Sequence, residues 1–242
     1  MLGTAFQADL TVTFAYLKTG MALFPGALYA GNVQVRDIGI YLRGGVEGPR
    51  YLSYEREDIK TLCPKRGADA HKGTYGRVLM ITGSEGMAGA AILSASAAYR
   101  MGSGLVRILT PRCNQAVLQA KLPEVIVTPY KEEISRQMET LLDWADVICA
   151  GCGLGMDERT KEVLETLLIY LENHEKPCVL DADALNNIAG MEQKKREMLL
   201  SGAGSRLIFT PHVKEFARLL GKTTEETKKA GWDLTQQYAK NL

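Results

Sequence analysis

The chain has 242 residues, 46% hydrophobic and 24% charged, which is enough to bury a sizeable core and excludes wholesale disorder. Lys and Arg number 29 against 28 Asp and Glu, a formal charge of +1, so the basic excess that accompanies nucleic-acid binding is missing and no nucleic-acid partner is expected. No apolar run reaches the length of a membrane span, and Met1 to Gln7 lack a basic region followed by an apolar one; the expectation is a soluble, cytoplasmic protein with no membrane partner.

In chain order, Asp9-Leu10-Thr11-Val12-Thr13-Phe14 alternates polar and apolar residues as a half-buried strand does, and Asn32-Val33-Gln34-Val35 repeats the pattern. Pro25-Gly26 and Gly31 interrupt the segment between them, and Gly44-Gly45-Val46-Glu47-Gly48-Pro49 has linker composition. Residues 1–45 thus read as the end of one domain, 46–54 as a linker and 55–242 as a second domain. From there β and α signals alternate. Strands are expected at 77–82, 105–110, 125–128, 147–150, 178–180 and 207–210, with helices near 88–100, 115–121, 134–144 and 158–171. This is the pattern of an α/β fold with a mostly parallel central sheet flanked by helices on both faces. Thr223 followed by Glu226 predicts a capping box opening a helix to about Tyr238. The chain stops at Leu242, where the alternation predicts another strand, so the sheet is expected to be incomplete at its C-terminal end.

Ligands of open α/β sheets bind beyond the carboxyl ends of the strands, so the residues following each strand matter most. The first strand of the second domain runs into Gly83-Ser84-Glu85-Gly86, with Gly89 and Ala90 opening an Ala- and Ser-rich helix; the 147–150 strand runs into Gly151-Cys152-Gly153-Leu154-Gly155. Both loops can bring backbone amides against an anionic or extended ligand, although neither has P-loop or G-x-G-x-x-G spacing and each alone is equally a tight turn. Asp181-Ala182-Asp183-Ala184-Leu185-Asn186 puts two carboxylates and an amide at the same edge, suited to Mg²⁺ or a phosphate-bearing cofactor, or to capping a short helix. His212 follows Pro211 at a strand end, a rigid place from which to present an imidazole. Lys72, between His71 and Gly73, either neutralises a phosphate or is a solvated loop lysine.

Cys63, Cys113, Cys149, Cys152 and Cys178 are an odd number in a chain of this length and are expected to be reduced thiols. Cys149-Ala150-Gly151-Cys152 matches C-x-x-C, but no second pair or His cluster completes a zinc site. The plainer expectation puts Cys149 at the end of a buried strand and Cys152 in the following loop, with a redox role as the minor alternative.

Together these segments are more specific than any one of them. His71-Lys72-Gly73-x-x-Gly76, Gly83-Ser84 with Gly89-Ala90, Gly102-x-Gly104-Leu105-Val106, Gly151-x-Gly153-Leu154-Gly155, Asp181 to Asn186, and Thr210-Pro211-His212-x-x-Glu215-Phe216-x-x-Leu219 resemble the NAD(P)H-hydrate dehydratase family, whose fold is ribokinase-like. Ala8 to Phe14, Lys18-x-Gly20, Pro25-Gly26 and Asp37-Ile38-Gly39-Ile40 resemble the C-terminal end of the NAD(P)H-hydrate epimerase domain, which precedes the dehydratase on one polypeptide in many bacteria. The resemblance implies repair of hydrated NADH or NADPH, dehydrated back to the reduced cofactor at the expense of ADP or ATP with Mg²⁺. By carry-over, Ala90, Gly153, Gly155 and His212 contact the hydrated dinucleotide, with Lys214, Glu215 and Phe216 framing the pocket. Lys72, Asp183 and Asn186 fall to the nucleotide or its phosphates, and no residue is assigned to a metal. The family's catalytic Asp, in a Gly-[Ser/Thr]-Gly-Asp motif, belongs further along than Leu242, so the chain reads as an inactive internal piece of a bifunctional protein that is a homo-oligomer at full length. Cys152 stands where the family usually has proline. Two other readings stay open: a ribokinase-like kinase of a pyrimidine or thiazole alcohol, and a catalytically inert dinucleotide-binding module.

Overall fold

The computed structural model describes residues 4–40, 52–62 and 65–242. The Gly44 to Pro49 stretch and Cys63 lie outside the described residues, and of the expected linker only residues 52–54 are described. The chain divides into two compact units, Met1–Gly67 and Ala68–Leu242.

In the first unit, β1 (Leu10–Phe14) and β2 (Asn32–Arg36) pair in parallel from Leu10↔Asn32 to Phe14↔Arg36, with short helices α1 (Thr19–Ala22) and α2 (Ala27–Ala30) between them and α3 (Arg56–Leu62) after them. The expected alternation is present with the opposite sense. Leu10, Val12 and Phe14 are exposed, while Thr13 is buried. On the threonine face, Thr11 Oγ1 donates to Ala30 O in the chain returning to β2, and Thr13 Oγ1 to Tyr16 O in the turn leaving β1.

The second unit is built on six strands: β3 (Arg77–Ile81), β4 (Leu105–Thr110), β5 (Ile126–Pro129), β6 (Val147–Ala150), β7 (Cys178–Leu180) and β8 (Leu207–Phe209). All five pairings are parallel, in the order β5-β4-β3-β6-β7-β8. A parallel sheet is buried on both faces, and successive residues of β3 show it. Leu79 and Ile81 pack with Ile148, Leu164 and Leu167 on one face, whereas Met80 packs with Ala91, Ile108 and Leu118 on the other.

The helices that cover these faces are α4 (Ala88–Met101), α5 (Gln115–Lys121), α6 (Ile134–Trp144), α7 (Glu158–Glu172), α8 (Asp183–Ala189), α9 (Gln193–Ala203), α10 (Val213–Leu220) and α11 (Thr224–Lys240). The apolar stripe of α7, Val163, Leu164, Leu167, Leu168 and Leu171, is wholly buried, and Asp157 caps its start by accepting from Thr160 N. The Thr223–Glu226 capping box forms as expected, and α11 kinks at Gly231, whose φ is 62°. The sequence reading has no helix at α3, α9 or α10. Among the described residues no helix is long and apolar enough to cross a membrane.

The strand order places one topological break. From β3 the chain steps outward to β4 and β5, then returns to the other side of β3 with β6 and continues outward through β7 and β8. The loops after β3 and β6 therefore depart to opposite sides, and the crevice between them is where an open parallel sheet receives a ligand.

Candidate functional site

At the carboxyl edge the hydrogen-bond ladder continues past the strands and ties the loops into a row. Gly151 N donates to Ile81 O and Gly83 N to Cys152 O (3.0 Å), joining the two glycine loops directly at the break. Asp181 N donates to Ala150 O, and Thr210 N to Leu180 O, extending the row to β8. Three strand spacings of about 4.8 Å give the row from β3 to β8 a width of roughly 14 Å.

Glycine is needed in these loops for room. A Cβ on Gly151 would come within 1.8 Å of Asp181 O, and one on Gly153 within 2.7 Å of the Ala90 Cβ; both glycines have positive φ, 125° and 61°. Ala90 and Gly153, expected on one ligand, are thus packed against each other. Ala90 lies in the first turn of α4, where its amide donates to Met87 O at 3.2 Å; the N-cap, Met87, supplies no side-chain hydrogen bond to the Ala88 and Gly89 amides that open this 14-residue helix.

Side chains fix the loops from behind. Asn114 Nδ2 donates to Ser84 O (3.1 Å) and to Thr110 Oγ1 (2.9 Å), and Thr110 Oγ1 donates in turn to Gly83 O. Asp183 Oδ2 accepts from Gly155 N at 2.9 Å, and Asn187 Nδ2 donates to Gly155 O at 2.9 Å. Asp183 therefore neither caps its helix nor stands free; the N-cap position is Ala182, a non-glycine residue at φ 48°. Such backbone costs about 1–3 kcal/mol and gathers at functional sites. Asn186 Oδ1 accepts from Arg218 Nη1 at 2.6 Å, linking α8 to α10. Thr82 Oγ1, fully buried at the head of the first loop, has no hydrogen-bond partner among the described residues.

His212 is held on both ring nitrogens. Nδ1 accepts from Lys214 N and Glu215 N, and Nε2 lies 3.1 Å from Glu215 Oε1. Glu215 Oε2 accepts from His212 N, closing a capping box at the start of α10. The exposed imidazole thus offers a ligand its ring face rather than a free nitrogen. Glu215 and Phe216 are buried beneath it, Phe216 edge-on to Tyr238 at 5.6 Å, so both support the helix; Lys214 is exposed.

Lys72 is not brought to this edge. It lies in a single 3₁₀ turn, Lys72–Tyr75, immediately before β3, and a Cβ on Gly104, just before β4, would come within 1.7 Å of its carbonyl oxygen. Both positions mark the amino ends of the strands. Five residues of β3 at about 3.3 Å each separate that end from Gly83, so the backbone of Lys72 lies at the opposite end of the strand from the glycine loops. His71 caps the turn by accepting from Gly73 N, so this motif closes the opposite end of the sheet.

Beside the two glycine loops is a cavity of about 400 Å³ lined by Ser84, Arg112, Tyr130, Leu154, Asp157 and Arg159, among others. Burial raises the Tyr130 phenol well above its usual pKa, and its hydroxyl has no partner among the described residues. Arg112, Tyr130 and Arg159 carry no local signal that would mark them for this cavity, because only the packing of β4, β5 and α7 brings them together.

The parallel sheet, its flanking helices and the glycine loops at its break define a ribokinase-like α/β protein. The profile of the NAD(P)H-hydrate dehydratase family matches residues 78–242, and the chain belongs to that family. Over 98% of its length it is 35% identical to a bifunctional NAD(P)H-hydrate repair enzyme of Moorella thermoacetica, and over 93% it is 34% identical to that of Escherichia coli. It covers 45% and 40% of those enzymes, so it spans less than half the length of these curated relatives. Among solved structures it is similar to the Bacillus subtilis ADP/ATP-dependent NAD(P)H-hydrate dehydratase co-crystallized with ATP and Mg²⁺, with a TM-score of 0.60 and 28% identity over 76% of this chain and 61% of that one. A ribokinase-like superfamily protein of Enterococcus faecalis gives a TM-score of 0.57 at 27% identity, covering 66% of this chain and 54% of that one.

Proposed function

We propose that this chain holds (S)-NAD(P)H-hydrate across its joined glycine loops and serves the ADP- or ATP-dependent dehydration that restores NAD(P)H. The observation that carries this reading is the Gly83 N to Cys152 O hydrogen bond, which unites the two loops at the break in strand order beside the uncapped start of α4. The first amides of α4, at Ala88 and Gly89, suit the diphosphate of a dinucleotide. A row roughly 14 Å wide accommodates its extended form. Ala90, Gly153, Gly155 and the His212 ring line the dinucleotide in this reading, and Lys214 offers a nearby cation. Asp183 acts through Gly155, whose amide it orients, and Asn186 through Arg218.

The chemistry requires help for the leaving group, since hydroxide departs poorly. Transfer of a phosphoryl group from the nucleotide to the ring hydroxyl lets phosphate leave instead, assisted by the lone pair of the ring nitrogen. Mg²⁺ carried with the nucleotide would neutralise charge on the transferred group. Mg²⁺ of this kind keeps several waters and is bound through substrate phosphates with one or two carboxylates, and no protein ligand is assigned to it. A cytoplasmic, homo-oligomeric enzyme accords with this reading.

The test is titration calorimetry with (S)-NADHX, (S)-NADPHX and, separately, a hydroxymethylpyrimidine. Saturable binding of a hydrate is expected. Binding of the pyrimidine alcohol with none of either hydrate would replace this reading with a small-molecule kinase.

A further inference from the structure

The cavity of about 400 Å³ shares its wall with both glycine loops, through Ser84 of the first and Leu154 of the second. Met87 N donates to Ser84 O at 2.9 Å, so this wall and the start of α4 belong to one tight turn. Three further elements complete the lining: Arg112 opens the 3₁₀ turn after β4, Tyr130 directly follows β5, and Arg159 lies in the first turn of α7.

Neither the Arg112 nor the Arg159 guanidinium enters a hydrogen bond or ion pair among the described residues, whereas those of Arg77, Arg206 and Arg218 are engaged by Asp146, Glu175 and Asn186. Two unpaired guanidinium groups that reach one cavity from separate elements suit an anion with several oxygens. Burial keeps the Tyr130 phenol protonated, and its hydroxyl, without a partner among the described residues, is a donor that a ligand oxygen would satisfy. The carboxylates of the wall are otherwise placed. Asp157 Oδ1 accepts from Thr160 N at 2.8 Å and from Thr160 Oγ1 at 2.9 Å as the cap of α7, and Glu85 is exposed, where solvent and salt screen it. A phosphate monoester, close to doubly charged at neutral pH, brings three oxygens to these three donors.

We propose that this cavity is a phosphate-monoester subsite occupied by the 2′-phosphate on the adenosine ribose of NADPHX, so that Arg112 and Arg159 distinguish NADPHX from NADHX. The proposal rests on the dinucleotide reading. With the diphosphate at the Ala88 and Gly89 amides, the adenosine ribose is the next group along the ligand, and the turn from Ser84 to Met87 sets the cavity beside it. NADHX has a hydroxyl at the same position and leaves both guanidinium groups unpaired.

The test is titration calorimetry of the unaltered chain and of the double variant Arg112→Gln, Arg159→Gln with (S)-NADPHX, (S)-NADHX, adenosine 2′,5′-bisphosphate, adenosine 5′-monophosphate and inorganic phosphate. The unaltered chain should bind NADPHX roughly tenfold or more tighter than NADHX, and the bisphosphate tighter than the monophosphate by a similar factor; the double variant should bring both ratios to within about twofold of one. Both arginines are exposed, so the double variant should keep the Tm of the unaltered chain. Tyr130→Phe should narrow the ratio without lowering Tm, because it removes a hydroxyl that has no partner; a lower Tm with the ratio intact would remove Tyr130 from the subsite. Equal affinity for the two hydrates, or a preference that survives in the double variant, overturns the proposal. Inorganic phosphate that binds the unaltered chain but not the double variant, with both hydrates bound alike, would give the cavity to free phosphate instead. If neither hydrate binds, the dinucleotide reading falls, and the two adenosine phosphates still decide the subsite: equal binding of both, or binding of neither, overturns it.

Discussion

Gly153 is the residue at which shape and function meet most tightly. Its φ of 61° disfavours a side chain, and a methyl group would press on the Ala90 Cβ at 2.7 Å, so Gly153→Ala must displace either the loop or the first turn of α4. The expected cost is about 1–3 kcal/mol in denaturant unfolding, with a loss of hydrate binding larger than the stability change alone would give. A variant with unchanged binding would separate this contact from the site. Glycines and carboxylates after strands were legible in the sequence because their chemistry is local: room, positive φ, an acceptor at a strand end. Thr110, Asn114 and Arg218 were not, since each acts on a segment about thirty or more residues away or through an intermediate side chain that does, and nothing in their own neighbourhoods announces it. His212 was legible as a position but not as a geometry, its two nitrogens being taken up by a cap that only the helix creates.

Among the elements, the clamp between the starts of β3 and β6 makes a test that does not involve the site. Asp146 receives Arg77 N at 2.9 Å and the Arg77 guanidinium through Nε at 3.3 Å and Nη2 at 2.8 Å, and Arg77 and Arg107 flank the Trp144 ring at 5.9 and 4.3 Å. The Arg77 hydrogen bond holds the Asp146 carboxyl below its ordinary value of 3.8. A depressed carboxylate stabilises the fold above its unfolded pKa, and that contribution disappears as pH falls through the folded value. Asp146→Asn should therefore lower Tm at neutral pH and show a shallower further loss on acidification than the unaltered chain, both effects reduced by exposure and by salt. Parallel acid profiles of the two proteins would contradict the clamp. At this scale periodicity reads well where burial is strong: α5 and α6 have the expected bounds, and α7 ends one residue later. It missed α9, whose opening Gln193-Lys194-Lys195-Arg196 is solvated and whose buried contacts, Leu199, Leu200 and Ala203, fall only in its second half.

Taken whole, the molecule concentrates its core in the second unit. Among the described residues, all of the buried ones but Thr13 and Ala30 belong to it, whereas Leu10, Val12, Phe14, Phe24 and Leu28 of the first unit are exposed. Residues 68–242 expressed alone should unfold in a single cooperative transition, and residues 1–67 alone should show none; a cooperative transition in the shorter piece would contradict this division of the core. The layered parallel architecture was legible because alternating β and α signals admit few arrangements. The strand order was not, and with it the fact that the loops after β3 and β6 are neighbours while Lys72 lies at the far end of the sheet. That arrangement is the centre of the account, and amide chemical-shift mapping during titration with (S)-NADPHX tests it most directly. Shifts should concentrate at Gly83, Ala90, Gly153 and Gly155 and leave Lys72 and Gly104 unmoved; saturable binding that instead shifts Lys72 and Gly104 would contradict it.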